Sequence, residues 1–227
     1  LRAGCEVFNY LKDLLNKHNF SISVGDEGGF APNFNSNQEC LDFIINSIER
    51  AGYKPGKNIF VALDVASSEF FDGKKYKVLS ESLEMSAQEL IKYYENLIRN
   101  YPIISIEDGL DEKDWEGWNV MTREIGNKCQ LVGDDLFVTS VDRLRTGISR
   151  ESGNSILIKP NQIGTLTETI ETINEAKKTE LDPNKFTAQD LVALAVKKGF
   201  LSTCQDPLRI FRFYKDRLVG EGFLSEV

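Results

Sequence analysis

Short apolar runs alternate along this chain with longer stretches of helical spacing. Four of the runs end in one or two charged side chains, at residues 59–64, 101–109, 130–135 and 155–159. Each run is apolar on both faces and rich in β-branched residues, which is typical of a strand that is covered on both sides. A helix-like segment follows each run, so the pattern predicts parallel strands in an α/β fold.

The charged residues that end the four runs are Asp64, Glu107, Asp134 and Lys159. In a closed parallel barrel the carboxyl ends of all strands open on one face, so we expect these four side chains to meet there. Three carboxylates in one mouth repel one another by several kcal/mol in a low-dielectric site unless a positive charge lies between them. A hard divalent cation such as Mg²⁺ suits such a site.

Other acidic residues near the strand ends allow a plainer interpretation. An Asp after a strand is often a turn former or the N-cap of the next helix, and we predict that role for Asp108 and Asp135. The glycine-rich loop 25–33 places Asp26 and Glu27 between glycines. The loop is either a plain turn with solvated acids or a backbone-held carboxylate open to a ligand, and the residues alone leave both interpretations open.

The helical periodicity also indicates how the chain is organised. No strand precedes the first amphipathic helix, so we expect a fragment whose opening strands are missing. After Lys178 the alternation loses one strand, because residues 179–185 are polar and contain a proline. Helices are predicted at 2–18, 37–51, 86–100, 139–150, 165–178, 187–198 and 208–218, with a further helix from Trp115, a turn at Asp72-Gly73 and a short last strand at 200–204.

Composition narrows the class of protein. The 227 residues include 41% hydrophobic residues, enough for one domain with a good-sized core. The net charge of −8 argues against nucleic acid and anionic membrane as partners. No apolar run is long enough to span a bilayer, and without a basic-then-apolar segment we expect no targeting leader. The 4 cysteines are widely separated, which is typical of reduced core thiols, and we expect a cytoplasmic protein.

Five motifs, in order and at compatible spacings, resemble the C-terminal barrel domain of the enolase (phosphopyruvate hydratase) family. The resemblance extends from Leu1 to Lys178. It implies one incomplete TIM-type (β/α) barrel over residues 1–227, without the family's N-terminal capping domain and lacking its opening strands and one late strand. The motifs lie at residues 25–29, 63–70, 105–108, 133–136 and 159–165.

The resemblance also implies a chemistry, the Mg²⁺-dependent removal of water from 2-phosphoglycerate to give phosphoenolpyruvate, a lyase step of glycolysis. Asp64, Glu107 and Asp134 would hold the ion, and Glu107 and Asp134 would also contact the substrate. Lys159 would be the base, its pKa lowered by adjacent cations, and Glu27 would donate a proton to the departing hydroxide. The full-length family implies a homodimer.

The chain departs from the family pattern in its last part. The family's His-Arg-Ser-Gly loop, which grips the phosphate, has no counterpart between Lys178 and Thr187. His18 lies in the first helix and cannot replace it. Where the family presents a substrate-binding lysine, the chain reads Ser202-Thr203-Cys204. We therefore expect impaired activity of this chain alone.

Two alternatives remain open at this level. One is a non-catalytic enolase remnant that binds Mg²⁺ or acts as an interaction surface. The other is a barrel lyase that forms a Schiff base through Lys159, because a lysine at a strand end can serve as a nucleophile as well as a base.

Overall fold

A computed structural model of the protein describes residues 2–25 and 28–179. Helices and strands alternate through most of this length, as the hydrophobic pattern predicts. The helices are α1 (Arg2–Lys17), α2 (Asn37–Arg50), α3 (Ala87–Asn100), α4 (Trp115–Ile125), α5 (Val141–Ser149), α6 (Pro160–Ile163) and α7 (Leu166–Lys178). The strands are β1 (Val61–Asp64), β2 (Tyr76–Val78), β3 (Leu83–Met85), β4 (Ile103–Glu107), β5 (Gln130–Gly133) and β6 (Ser155–Ile156).

The main sheet of the described residues is parallel and has the strand order β1-β4-β5-β6. Each step between its neighbours crosses over through at least one helix, which is the topology that parallel strands require. The short strands β2 and β3 form a separate antiparallel hairpin between β1 and α3. The predicted turn at Asp72-Gly73 lies just before β2, closed by the bond from the Asp72 N–H to the Lys75 carbonyl (3.0 Å).

Side-chain caps fix where the helices begin. Ser86 and Glu89 form a complete capping box at the start of α3. Asp114 caps α4 and Ser140 caps α5, each by accepting a backbone N–H of the first turn. Of the two roles predicted for Asp108 and Asp135, the N-cap is wrong, because both residues lie several positions before the helices that follow them, whereas the turn role agrees with the bend at Asp108 and the turn at Asp135.

The sheet has two distinct faces, since successive strand residues point to opposite sides. Pairing of Ile106 with Leu63 and Leu131 places these three side chains on one face, which we call the Ile106 face. Pairing of Ser105 with Gln130, and of Glu107 with Asp64, places these four on the opposite side, the Ser105 face. By the same alternation Asp134 and Ser155 belong to the Ser105 face, and Lys159 lies beside them because its ammonium group contacts Asp134.

The core joins the strands to the helices around them. Its largest fully buried side chains include Trp118, Met121, Ile106 and Leu131. Phe137 packs so closely on Gly133 that a Cβ there would lie 2.5 Å from the ring. Only glycine allows this approach, so Gly133 fixes how near the turn after β5 lies to its own strand.

The run at 155–159 differs from its prediction. Only Ser155–Ile156 pairs as a strand, and Lys159 is the N-cap residue of α6, with Pro160 in its first turn. Proline suits that position because its missing N–H has no helical partner to lose. The predicted elements after residue 179 lie outside the described residues. Within the described part of the chain, every helix is too short or too polar to cross a bilayer.

Candidate active site

The strand ends on the Ser105 face bring acidic side chains together. Carboxylate oxygens of Glu107, Asp108 and Asp134 lie within 4.8 Å of one another. All three residues are buried, with exposures of 3%, 5% and 6%. Glu107 ends β4, while Asp134 follows β5 directly, so the parallel register brings two of the predicted ion ligands together.

Asp64 lies at the edge of this cluster. It ends β1, pairs in register with Glu107, and is exposed to solvent. The group of described residues within the 4.8 Å limit contains Asp108 and does not contain Asp64. The charge of Asp64 nevertheless contributes to a raised pKa of Asp135, after burial, Asp134 and Glu112. Asp64 therefore belongs to the same acidic mouth.

Lys159 reaches the mouth from the N-cap position of α6, three residues after β6. Its ammonium group donates to Oδ2 of Asp134. Burial lowers the pKa of Lys159, but the bond to Asp134 and the charges of Asp134, Glu107 and Asp135 outweigh it, and the net shift is upward. The protein groups alone favour the protonated amine, so the expected lowering depends on bound cations and stays a prediction.

Asp108 has a role that its sequence position did not reveal. Its two oxygens accept the backbone N–H groups of Asp134 (3.0 Å) and Asp135 (2.9 Å). The carboxylate thus ties the end of β4 to the turn after β5. Burial raises the pKa of Asp108 to about 6, and the two N–H donors counteract this rise only in part. The backbone φ of Asp108 is 44°, in the left-handed region, as befits a constrained turn.

Two further polar residues at the mouth, Gln162 and Thr139, were not predicted from the sequence. The Gln162 amide donates to Oδ1 of Asp134 (3.1 Å). The Thr139 hydroxyl accepts the backbone N–H of Lys159 (2.9 Å). A polar residue three positions after a strand-end lysine was the available signal for Gln162. Nothing in the local sequence marks Thr139.

The remaining predicted site residue, Glu27, lies outside the described residues. The loop that holds it is closed at its base, since Val24 and Phe30 form an antiparallel bridge and the Gly25 N–H donates to the Gly29 carbonyl (2.9 Å).

The donor set suits a hard divalent cation. All candidate ligands are carboxylate oxygens, which Mg²⁺ and Ca²⁺ prefer. The 4.8 Å limit is close to the separation of about 4.2 Å between ligand oxygens on opposite sides of Mg²⁺. The residues present therefore fit the implied ion, with an amine beside it that can carry a proton.

The four-stranded parallel sheet, with acids and a lysine at its carboxyl end, fits part of a TIM-type barrel. The family model for the enolase C-terminal TIM barrel domain matches residues 1–182. The chain belongs to this family. It is also 56% identical over 178 residues to an enolase of Natranaerobius thermophilus, covering 78% of this chain and 42% of that relative. The chain thus spans less than half the length of that curated relative.

Proposed function

We propose that this chain carries the ion-binding and proton-transfer part of an enolase site, which dehydrates 2-phosphoglycerate to phosphoenolpyruvate in the presence of Mg²⁺. The observation that carries the proposal is the meeting of Glu107, Asp134 and Lys159 at one end of the sheet, within a chain of the enolase family. Membership of the family supports two further parts of the proposal, a cytoplasmic location and a homodimer.

The difficulty of the reaction explains the composition of the site. A proton α to a carboxylate is barely acidic, because its loss adds negative charge to an anion. Mg²⁺, when bound, supplies positive charge where that negative charge develops. Glu107 and Asp134 would hold the ion together with Asp64, and Glu107 and Asp134 would then lie beside the substrate.

Proton transfer falls to two residues on this proposal. Lys159 is placed to take the α-proton, and it must be neutral to do so. Its contact with Asp134 keeps the amine at the mouth and limits its conformations. Glu27 would donate a proton to the departing hydroxide from the opposite side of the substrate, which suits an anti elimination.

One observation favours a second candidate, a non-catalytic enolase remnant that binds Mg²⁺. The sequence has no His-Arg-Ser-Gly segment between Lys178 and Thr187, so the phosphate of the substrate loses a principal binding loop. Positioning and charge neutralisation each supply many kcal/mol to catalysis, about 7–11 kcal/mol for positioning alone. We therefore expect a slow enzyme at best.

The test mixes the full chain with Mg²⁺ and 2-phosphoglycerate and follows the ultraviolet absorbance of phosphoenolpyruvate. We expect measurable product, and a rate lower by about 10²- to 10⁴-fold in Lys159→Met, because the base is lost. Lys113→Met is the matched control, since the Lys113 side chain is 83% exposed, and its rate should equal that of the wild type.

Four other outcomes separate the alternatives. Folded protein that binds Mg²⁺ in calorimetry without forming product identifies the remnant. Loss of Mg²⁺ binding in Glu107→Gln but not in exposed Glu171→Gln supports the assigned ligands, whereas no binding by the wild type overturns the proposal. Carbon of an aldehyde or ketone substrate, offered in place of 2-phosphoglycerate and trapped on Lys159 by borohydride, would instead establish the Schiff-base lyase.

A further inference from the structure

Both oxygens of the Asp134 carboxylate have a side-chain partner. Lys159 donates to Oδ2, and the Gln162 Nε2 group donates to Oδ1 across 3.1 Å. Asp134 is only 6% exposed, so these protein groups replace most of the water that a carboxylate would otherwise hold. The orientation of the carboxylate therefore depends on Gln162 as well as on Lys159.

Gln162 is itself oriented by Thr139. The Thr139 hydroxyl lies 3.1 Å from Oε1 of Gln162 and 3.4 Å from the Leu157 carbonyl oxygen, and the nearer Oε1 is the better acceptor for its single proton. The same hydroxyl accepts the backbone N–H of Lys159 at 2.9 Å. The contacts run from Asp134 to Gln162, to Thr139, to Lys159 and back to Asp134, and so form a closed ring.

The ring admits one orientation of the Gln162 amide. A reversed amide would place its oxygen against the Asp134 carboxylate, where two acceptors would face each other with no proton between them. Each member thus specifies the donor or acceptor atom of the next. A ring of this kind holds side-chain rotamers more tightly than separate hydrogen bonds do.

Thr139 is well anchored for this role. It is fully buried (0% exposed), and its backbone carbonyl accepts the hydroxyl of Thr172 from α7 at 2.8 Å. Its backbone φ of 56° lies in the left-handed region, which a β-branched residue adopts only when its surroundings impose it. The strained turn therefore points to a constrained position for the hydroxyl.

We infer that Gln162 and Thr139 are positioning residues, which hold the Asp134 carboxylate and Lys159 in the arrangement that ion binding and proton transfer require. The inference rests on the proposed function, because Asp134 is assigned there as an ion ligand. Residues that orient a metal ligand typically change metal affinity by about 10- to 100-fold when they are replaced.

The test measures binding of Mn²⁺ to the full chain by electron paramagnetic resonance, which reports both affinity and the symmetry of the ligand set. Gln162→Met keeps the side-chain length and removes both hydrogen bonds, so we expect about 10- to 100-fold weaker binding and an altered spectrum. Gln88→Met is the matched control. Gln88 is exposed and bonds only to Glu124 among the described residues, and its replacement should leave affinity and spectrum unchanged.

A second pair of variants tests the hydroxyl. Thr139→Val keeps the shape and the β-branch but loses the hydroxyl, and we expect it to weaken Mn²⁺ binding. Thr139→Ser keeps the hydroxyl and should restore the wild-type spectrum, whereas a role in packing alone would not be rescued this way. Because the two residues act in one ring, Gln162→Met and Thr139→Val combined should cost less than the sum of their separate effects.

The outcomes distinguish this inference from the proposed function. A wild-type chain that binds no Mn²⁺ overturns the ion assignment and the inference with it. A wild-type chain that binds Mn²⁺, beside a folded Gln162→Met variant with equal affinity and an identical spectrum, overturns the inference alone. Equal affinities of Thr139→Val and Thr139→Ser overturn the role of Thr139.

Discussion

The Ile106 face and the Ser105 face belong to the same strands, yet they have opposite characters. On the Ile106 face, Ile106 and Leu131 are fully buried in the hydrophobic core, together with residues of the surrounding helices. On the Ser105 face, the strand ends carry acids and Lys159. The comparison shows that the period of two along a strand lets one segment supply both stability and chemistry.

The Ser105 face also contains buried polar atoms that make no hydrogen bond within the described residues. Within the described residues, the side-chain hydroxyls of Ser105 and Ser155 and the Nε2 of Gln130 have no hydrogen-bond partner. Such atoms normally cost stability, because their hydration is lost without replacement. These atoms reduce the contribution of the Ser105 face to stability, although Val132 on the same face is fully buried in the core.

The largest expected effect is on the Ile106 face. Leu131→Ala removes a fully buried side chain and leaves a cavity, so it should lower the free energy of unfolding by about 2–5 kcal/mol. Urea denaturation measures the change. Leu166→Ala is the control, since Leu166 is 69% exposed and its replacement should stay within about 0.5 kcal/mol. A small effect at Leu131 would contradict the assignment of stability to this face.

A smaller effect on stability should distinguish a buried hydroxyl that makes a hydrogen bond from one that does not. The buried Ser67 hydroxyl donates to the Asp108 carbonyl at 2.7 Å, so Ser67→Ala should cost about 1 kcal/mol in the same denaturation experiment. Ser155→Ala removes a buried hydroxyl without a partner among the described residues and should be neutral or slightly stabilising. Equal losses in both variants would show that the Ser155 hydroxyl has a partner after all.

The smallest effect concerns α7, outside both faces. Hydrogen bonds from Arg145 and then Lys178 lower the pKa of Glu175 from 4.5 to about 2. A carboxylate with a lowered pKa stabilises the fold above its unfolded value, so this contribution is present above pH 4.5 and is lost as the pH falls towards 2.

Thermal unfolding of the wild type and Glu175→Gln across this pH range measures the Glu175 contribution. We expect the stability of the variant to fall slightly less than that of the wild type as the pH drops. The difference between the two proteins should shrink in high salt, because the charges are near the surface. Parallel pH profiles of the two proteins would contradict the assignment.

Much of the fold could be predicted because its signals are local. The apolar runs ending at Asp64 and Glu107 form strands, and a complete capping box marks the start of α3 at Ser86. The run to Lys159 was predicted too long, because periodicity does not reveal that pairing with β5 stops at Ile156. Local pattern predicts which element forms better than where its hydrogen bonds end.

The site was predictable only in part. The charged strand ends were visible in the sequence, and the parallel topology explains why Glu107, Asp134 and Lys159 meet. The contacts of Thr139 with Lys159 and Gln162 join residues that are 20 and 23 positions apart. They also depend on a left-handed turn at a residue that is not glycine. Neither property leaves a pattern in a single sequence.

Besides packing against its neighbours, α7 holds the turn at Thr139 through the hydrogen bond from the Thr172 hydroxyl. The buried residues of α7 are Thr169, Thr172 and Ala176, so a helix of equal length without the Thr172 hydroxyl would lose the bond to the Thr139 carbonyl. Anyone rebuilding this scaffold should therefore treat the outer shell and the mouth as one unit, and carry Thr172 along with any transplanted α7.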